Sequence, residues 1–180
     1  MPKVALLISN GFEEIEAVTL IDVLRRAGVD VVVAGLNGET VLGGHDIRMH
    51  VDRGIDQVKA DELDGVVLTG GAPNAQSLRD DERVQALLRA AAEADKFVCA
   101  LCAAPIALDR AGVLEGKRAT SYPGFELPTA EYVNERVVED GKIITSRGPG
   151  TALEFALTLV RRLVGHVRAT ELRQRMLVRA

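Results

Sequence analysis

Short apolar runs alternate along the chain with longer segments in which apolar residues recur every three or four positions. The apolar runs predict buried strands, and the amphipathic segments predict helices. The predicted strands cover residues 4–9, 29–34, 65–68 and 97–101, and the predicted helices cover residues 13–27, 81–94, 103–113 and about 151–164, with a further helical stretch after Gly165. This alternation favours an α/β fold, with a doubly wound, mostly parallel sheet sandwiched by helices.

Two segments depart from the alternation. Residues 40–58 carry glycines and short alternating pieces, which predict small strands at the sheet edge, and residues 137–145 predict a hairpin that turns at Asp140-Gly141. Thr151 and Glu154 have the spacing of a capping box at the start of a helix. Ligands on doubly wound sheets bind beyond the carboxyl ends of the strands, so the segments that follow the strands are the candidates for a functional site.

The composition is that of an ordinary globular protein, and 180 residues suit a single domain over residues 1–180. No apolar stretch approaches the ~20 residues of a membrane span, and the first strand begins directly after Met1-Pro2, so we expect a cytoplasmic protein. The net charge of −4 is spread over interspersed acids and bases, and aromatic residues are few, so nucleic acid is not an expected partner. The basic segment 161–179 is interpreted as a solvated helix face.

Cys102 follows the predicted strand 97–101 directly and precedes a predicted helix. A cysteine at such a turn is pushed toward solvent, as the serine of a nucleophile elbow is. The free N–H groups and the dipole of the helix start favour the thiolate, so we expect a lowered pKa and a reactive sulfur. The alternative is a buried, inert cysteine that acts as a small hydrophobe.

The spacing of Cys99 and Cys102 matches a C-x-x-C redox motif only superficially. Cys99 lies inside the predicted strand, and residues three apart on a strand point to opposite faces, so we expect the two sulfurs not to meet. The three histidines, His45, His50 and His166, have no zinc-binding spacing with cysteines or acids, so no metal is expected.

Carboxylates lie at the start of the first predicted helix. Glu16 shares a helical face with apolar residues further along, so we expect it to face the crevice, whereas Glu14 points away with Arg25. Glu13 lies toward the same side as Glu16 and could contact substrate. Acids are also favoured in a first helical turn by the dipole alone, which is the preferred interpretation for Glu13 and Glu14.

Two glycine-rich turns follow predicted strands. The Gly70-Gly71 turn lets backbone N–H groups approach a ligand closely, which suits a developing oxyanion, although most such pairs are simply turns. The Gly148-Pro149-Gly150 loop could line the site, but it lacks the Lys-Ser/Thr of a phosphate loop, so a tight helix start is the preferred interpretation.

Four ordered motifs carry a resemblance to a known family over nearly the whole chain. They are residues 10–16 (Asn-Gly-Phe-Glu-Glu-Ile-Glu), 66–71 (Val-Val-Leu-Thr-Gly-Gly), 100–105 (Ala-Leu-Cys-Ala-Ala-Pro) and 145–151 (Thr-Ser-Arg-Gly-Pro-Gly-Thr). With these motifs the chain resembles the ThiJ/PfpI superfamily, in particular the branch of the parkinsonism-associated protein deglycase. The resemblance implies a flavodoxin-like α/β sandwich, usually dimeric.

The resemblance also implies roles for individual residues. It places the elbow cysteine at Cys102 and a protonated, hydrogen-bonded glutamate at Glu16, with Gly70, Gly71 and Ala103 supplying the oxyanion surroundings. Where many relatives have a histidine near the cysteine, this chain has Tyr122. Tyrosine near neutral pH is a neutral phenol and a poor base, so a Cys-His dyad is not expected.

Two further departures argue against other members of this architecture. The residue after the cysteine is Ala103 where protease-like members have histidine, so peptide hydrolysis is less favoured. The chain also lacks the later His-x-Glu of glutamine amidotransferases.

The resemblance and the residues together predict a cysteine-dependent, cofactor-independent glyoxalase or deglycase. Its substrate would be a small reactive carbonyl such as methylglyoxal, or the early adducts of such carbonyls. The alternative is a non-enzymatic stress sensor and chaperone in which Cys102 is oxidised to sulfinate. A hydrolase or hydratase acting on another electrophile is a third possibility. For assembly, the apolar residues Ile15, Val18 and Ile21 on the outer side of the first helix predict a homodimer contact.

Overall fold

The computed structural model describes residues 1–179, which form a central sheet flanked by helices. The strands are β1 (Lys3–Ile8), β2 (Asp30–Gly35), β3 (Thr40–Leu42), β4 (Arg48–His50), β5 (Arg53–Gly54), β6 (Gly65–Leu68), β7 (Phe97–Leu101), β8 (Arg118–Ala119), β9 (Glu131–Tyr132), β10 (Val137–Asp140) and β11 (Ile143–Ser146). The helices are α1 (Glu14–Ala27), α2 (Ala72–Asp80), α3 (Glu82–Glu93), α4 (Pro105–Arg110), α5 (Ala152–Leu163) and α6 (His166–Arg175).

The central sheet has seven strands in the order β10-β11-β7-β6-β1-β2-β5. All neighbours pair in parallel except β10 and β11, which form an antiparallel hairpin at one edge. From β1 the chain runs to β2 on one side and later to β6 on the other, so the strand order reverses between β1 and β6. The carboxyl ends of these two strands therefore flank the crevice in which ligands of such sheets bind.

The central strands are apolar along their whole length because both faces of the sheet are covered. Residues Val4 to Ile8 of β1 are fully buried, as are Val98 to Leu101 of β7. One helical group consists of α1, α5 and α6, which pack together, and α2, α3 and α4 form a second. The predicted α/β sandwich with a mostly parallel sheet is confirmed, and its apolar strands are those of a sheet buried on both faces.

Two local predictions were wrong, and one helix was not predicted. The helix predicted at 103–113 is confined to Pro105–Arg110, because residues 103–104 form the turn that leaves Cys102. Helix α2 was missed because its start, Ala72-Pro73-Asn74, is typical of a turn, although proline is tolerated in a first helical turn. The capping box is absent: the Thr151 hydroxyl bonds to Gly148 and Ser146, and Glu154 pairs with Arg136.

The two small sheets lie outside the central one. Strands β3 and β4 form an antiparallel hairpin, and β8 and β9 form a short parallel pair. The hairpin lies against the start of α1, where Phe12 forms a bridge with Gly43. Within residues 1–179, no helix is both long and apolar enough to cross a bilayer.

Candidate active site

Cys102 lies at a sharp turn between β7 and α4. Its φ of +63° is in the left-handed region, which residues other than glycine rarely adopt. The turn is fixed by two main-chain hydrogen bonds: Cys102 N–H donates to the Ser146 carbonyl at 2.9 Å, and Tyr122 N–H donates to the Cys102 carbonyl at 2.7 Å. The backbone is therefore the predicted elbow. The residue is only 8% exposed, however, so the sulfur is sheltered rather than pushed into solvent.

Glu16 lies in the first turn of α1 and is fully buried beside Cys102. Its Oε2 accepts a hydrogen bond from the Gly70 N–H at 2.7 Å. Its Oε1 has no hydrogen-bond partner in the part of the chain that the structure describes. A Cβ added to Gly70 would come within 2.4 Å of the Cys102 Cβ and 2.7 Å of Glu16 Oε2. The backbone of Gly70 thus fills the space beside the thiol and the carboxyl, and only glycine fits there.

The carboxyl and the thiol titrate as a coupled pair. Burial is the main cause that raises the pKa of Glu16 to about 7, while the Gly70 N–H and the Cys102 thiol oppose that rise. Burial, and then the negative charge of Glu16, raises the pKa of Cys102 to about 12. The predicted lowering of the Cys102 pKa is therefore wrong, because burial and the like charge of Glu16 outweigh the nearby N–H donors. A proton on Glu16 removes that opposing charge.

Backbone donors surround the sulfur unequally. The N–H groups of Gly71 and Ala103 face the Cys102 sulfur and lower the pKa of its thiol. The Gly70 N–H is already bonded to Glu16, so Gly70 contributes space rather than a free donor to an oxyanion. Gly71 has a φ of +89°, and a Cβ there would come within 2.1 Å of the Gly11 carbonyl oxygen. Glycine at both positions is therefore required for the close approach of the β6–α2 turn to α1 and Cys102.

Tyr122 lies beside the elbow and is 45% exposed. Its N–H is bonded to the Cys102 carbonyl, and its ring lies against Gly148, where a Cβ would be 3.2 Å from the Tyr122 Cδ2. The ring also meets Phe125 edge to face, with 6.4 Å between the centroids. The backbone of Tyr122 thus adjoins the elbow, and its ring contacts Gly148 and Phe125.

Glu13 and Glu14 lie at the start of α1, between the Gly70 turn and the β3–β4 hairpin. Glu13 N–H donates to the Gly70 carbonyl at 3.1 Å, which places Glu13 next to the site. Glu14, predicted to point away from the crevice with Arg25, is turned toward the hairpin: it is buried, and its carboxylate accepts hydrogen bonds from the His45 N–H at 2.6 Å and from the His45 Nδ1 at 2.9 Å. The loop of the β3–β4 hairpin covers Glu14, and the Glu14 carboxylate raises the pKa of the His45 imidazole.

The grouping of Glu13, Glu14 and His45 was not visible in the sequence. Their potential ligand atoms lie within 4.8 Å of one another, although His45 is far from the two acids along the chain. Both oxygens of Glu14 already accept hydrogen bonds from the hairpin loop, at His45 and Ile47. The contacts of this group therefore fasten the hairpin to α1.

Asn74 was missed as well. It is a fully buried amide in α2 that bonds to Ser9, Thr69 and Gly70. Once α2 is recognised, the signal is available, because Asn74 and Leu78 are four residues apart and so lie on the same buried helix face.

The two cysteines are both free and buried, which agrees with the prediction that their sulfurs do not meet.

Comparison with known proteins places this site in a family context. The family model described as DJ-1/PfpI matches residues 2–162. The chain is 42% identical to "Protein dj-1beta" of Drosophila melanogaster, over 99% of this chain and 98% of that protein. The crystal structure of Drosophila melanogaster DJ-1beta superposes with a TM-score of 0.96 at 40% identity, and 99% of each chain is covered.

Two further similar proteins bear on the chemistry. The chain is 35% identical to "Deglycase PH1704" of Pyrococcus horikoshii, over 82% of this chain and 90% of that protein. It is 34% identical to the solved structure "Toxoplasma gondii DJ-1, oxidized", with a TM-score of 0.92 and 98% of each chain covered. The extent of these matches, together with the four motifs around Cys102 and Glu16, leads to one conclusion about descent. The chain belongs to the DJ-1/PfpI family.

Proposed function

We propose that this protein is a cofactor-independent glyoxalase or deglycase that uses Cys102 to attack small reactive carbonyls such as methylglyoxal, or their early adducts on amines and thiols. The observation that carries the proposal is the contact of Cys102 with the buried Glu16 beside Gly70. A carboxyl whose pKa is about 7 can both accept and return a proton near neutral pH.

The first step forms the carbon–sulfur bond. As the Cys102 sulfur attacks the aldehyde carbon of methylglyoxal, the thiol proton passes to Glu16, which removes the charge that opposes a thiolate. The electron pair of the carbonyl moves to the oxygen, and the N–H groups of Gly71 and Ala103, which face the sulfur, hold that oxyanion. The oxyanion then takes a proton from Glu16, which gives a neutral hemithioacetal and returns Glu16 to the carboxylate.

The second step moves a hydrogen between adjacent carbons. Glu16 removes the proton from the carbon bound to sulfur and delivers a proton to the neighbouring carbon through an enediol, while the hydroxyl proton of the first carbon passes to the oxygen of the second. The first carbon is oxidised by two electrons and the second is reduced by two, so no external oxidant is required. Water then hydrolyses the resulting thioester, which releases lactate and restores the thiol. Tyr122, beside the crevice, orients the substrate.

The similarity to a protein named deglycase supports the enzymatic proposal. The test measures lactate production from methylglyoxal, without glutathione or added metal, by the wild type and by Cys102→Ser. We expect steady production by the wild type and none above the uncatalysed rate by Cys102→Ser. Equal production by the two proteins, or none by either, would overturn the proposal.

A second candidate function is oxidative sensing, in which Cys102 is oxidised to sulfinate and the protein acts as a stress-response chaperone. The observation that favours it is the similar solved Toxoplasma gondii protein that is described as oxidized. The same Gly71 and Ala103 N–H groups that face the sulfur are suited to sulfinate oxygens. Mass spectrometry after peroxide treatment tests this function: a Cys102 sulfinate in a protein that makes no lactate would support sensing, and lactate production without sulfinate would oppose it.

A further inference from the structure

Asn74 is a fully buried polar residue in the first turn of α2. Its Oδ1 accepts the Ser9 N–H at 2.6 Å, and its Nδ2 donates to the Thr69 carbonyl at 2.7 Å and to the Gly70 carbonyl at 2.9 Å. These partners fix the orientation of the amide, since only the NH₂ group can donate to two carbonyl oxygens. A buried amide with three well-formed hydrogen bonds is expensive to remove.

The three partners lie where the sheet opens. The parallel pairing of β1 with β6 ends at Leu7 and Leu68, and the chain beyond these residues diverges at the point where the strand order reverses. Ser9 follows β1, and Thr69 follows β6. The Asn74 side chain therefore joins the two strand ends beyond the last ladder pair and replaces the main-chain hydrogen bonds that the crevice interrupts.

The backbone of Gly70 is held on both sides of its Cα. Its N–H donates to Glu16 Oε2, and its carbonyl accepts from Asn74 and from the Glu13 N–H. The next N–H along the chain, that of Gly71, faces the Cys102 sulfur. Any rotation of this turn would move the Gly70 N–H away from the Glu16 carboxyl and the Gly71 N–H away from the Cys102 sulfur.

We infer that Asn74 is a positioning residue: it fastens the Thr69-Gly70-Gly71 turn to the end of β1, so that the Gly70 and Gly71 N–H groups stay directed at Glu16 and Cys102. For turnover the inference rests on the proposed function. For the reactivity of the thiol it stands on the geometry alone. The Gly71 N–H favours a negative charge on the sulfur itself, so a loosened turn lowers the fraction of Cys102 thiolate through the loss of this donor.

The test measures alkylation of Cys102 by iodoacetamide against pH, followed on the Cys102 peptide by mass spectrometry. Asn74→Ala is compared with Gln85→Ala. Gln85 is the matched control because it is also a buried amide that donates to two carbonyls, those of Leu78 and Ala107, and none of its hydrogen-bond partners belongs to the site. Lactate production from methylglyoxal gives kcat and KM for each protein.

We expect Asn74→Ala to be alkylated about tenfold more slowly than the wild type near neutral pH, since one charge-assisted hydrogen bond accounts for a factor of that size. Its kcat should fall by about tenfold to a hundredfold, while KM stays within about twofold. Gln85→Ala should unfold at a lower temperature but keep the wild-type alkylation profile and kcat.

A folded Asn74→Ala with the wild-type alkylation profile would overturn the inference. Should that variant fail to fold, Asn74→Asp takes its place, because it keeps the acceptor for Ser9 N–H and loses the donors to Thr69 and Gly70. Slow alkylation of Asn74→Asp supports the inference, and wild-type alkylation overturns it. If the Asn74 variant is alkylated more slowly than the wild type but the wild type makes no lactate, only the proposed function is contradicted.

Discussion

Glu16 is a fully buried carboxyl whose pKa burial raises from the ordinary 4.5 to about 7. The folded state therefore binds this proton more tightly than the unfolded state does. The stabilisation by the proton is present in full below pH 4.5 and is lost as the pH rises through about 7. A rise in pKa of this size corresponds to about 3 kcal/mol.

We predict that the stability of the wild type falls relative to that of Glu16→Gln as the pH rises. The difference between their free energies of unfolding should change by up to about 3 kcal/mol between about pH 4 and about pH 8, since glutamine does not titrate. Urea unfolding of both proteins across this range measures it. Parallel stability profiles would mean that Glu16 is not held in the protonated form by the fold.

A substitution at Tyr122 tests whether Glu16 is the residue that carries out acid–base catalysis. Because the Tyr122 side chain is exposed and the buried Glu16 contacts the thiol, we predict that Tyr122→Phe loses no more than one hydrogen bond to the substrate, about tenfold in turnover. Steady-state lactate production measures the effect. A loss as large as that of Cys102→Ser would show that the phenol is itself essential to the reaction.

The sequence was informative about single residues where local geometry decides their surroundings. The helical wheel places Glu16 on the apolar face of α1, and the strand-to-helix turn places Cys102 at an elbow; the structure has both features. It was uninformative where distant segments decide. Glu14 is buried by a hairpin about thirty residues away, and the pKa of Cys102 depends on burial and on the charge of Glu16.

At the scale of elements, the turn from β6 to α2 brings the site together. Gly70 leaves room for Cys102 and Glu16, and Gly71 leaves room for the backbone at Gly11. The buried strands were predictable because a short continuous apolar run is typical of a strand that is buried on both faces of a parallel sheet. Helix α2 was not predictable, because the sequence Gly70-Gly71-Ala72-Pro73 at its start is typical of a turn. The helix becomes evident only from its packing on α4.

We predict that Gly70→Ala lowers turnover by about a hundredfold, because the added methyl group must displace the Cys102 Cβ, which would lie 2.4 Å away. The matched control is Gly54→Ala, where nothing lies within 4 Å of the added methyl group and the φ of −76° suits alanine. Lactate production by the two variants is the measurement. Equal activity in both would show that the close contact of Gly70 with Cys102 does not matter for the reaction.

At the scale of the whole molecule, two surface features are available for binding: the crevice and the outer side of α1. The crevice lies where the strand order reverses, as the alternation of strands and helices predicted. On the outer side of α1, Ile15 and Val18 are 60% and 50% exposed, beside a groove that Ile21, Val33 and Met49 help to line. Large exposed apolar side chains grouped in this way are typical of a protein interface.

We propose a homodimer that buries this face of α1, and we predict that Val18→Asp gives monomers because it places a charge in the contact. Sedimentation at micromolar concentration compares it with Val167→Asp, which changes an exposed valine on α6. Dimers in the control and monomers in Val18→Asp are expected. A wild type that is already monomeric under these conditions would contradict the proposal.

The central claim is that Cys102 and Glu16 act as one unit. The most direct test is a double-mutant cycle on lactate production from methylglyoxal, without glutathione or metal, for the wild type, Cys102→Ser, Glu16→Gln and the double variant. Residues that act together are not additive, so each single variant should lose nearly all activity and the double variant should be no worse than either. Undiminished turnover in Glu16→Gln, or losses that multiply in the double variant, would contradict the account.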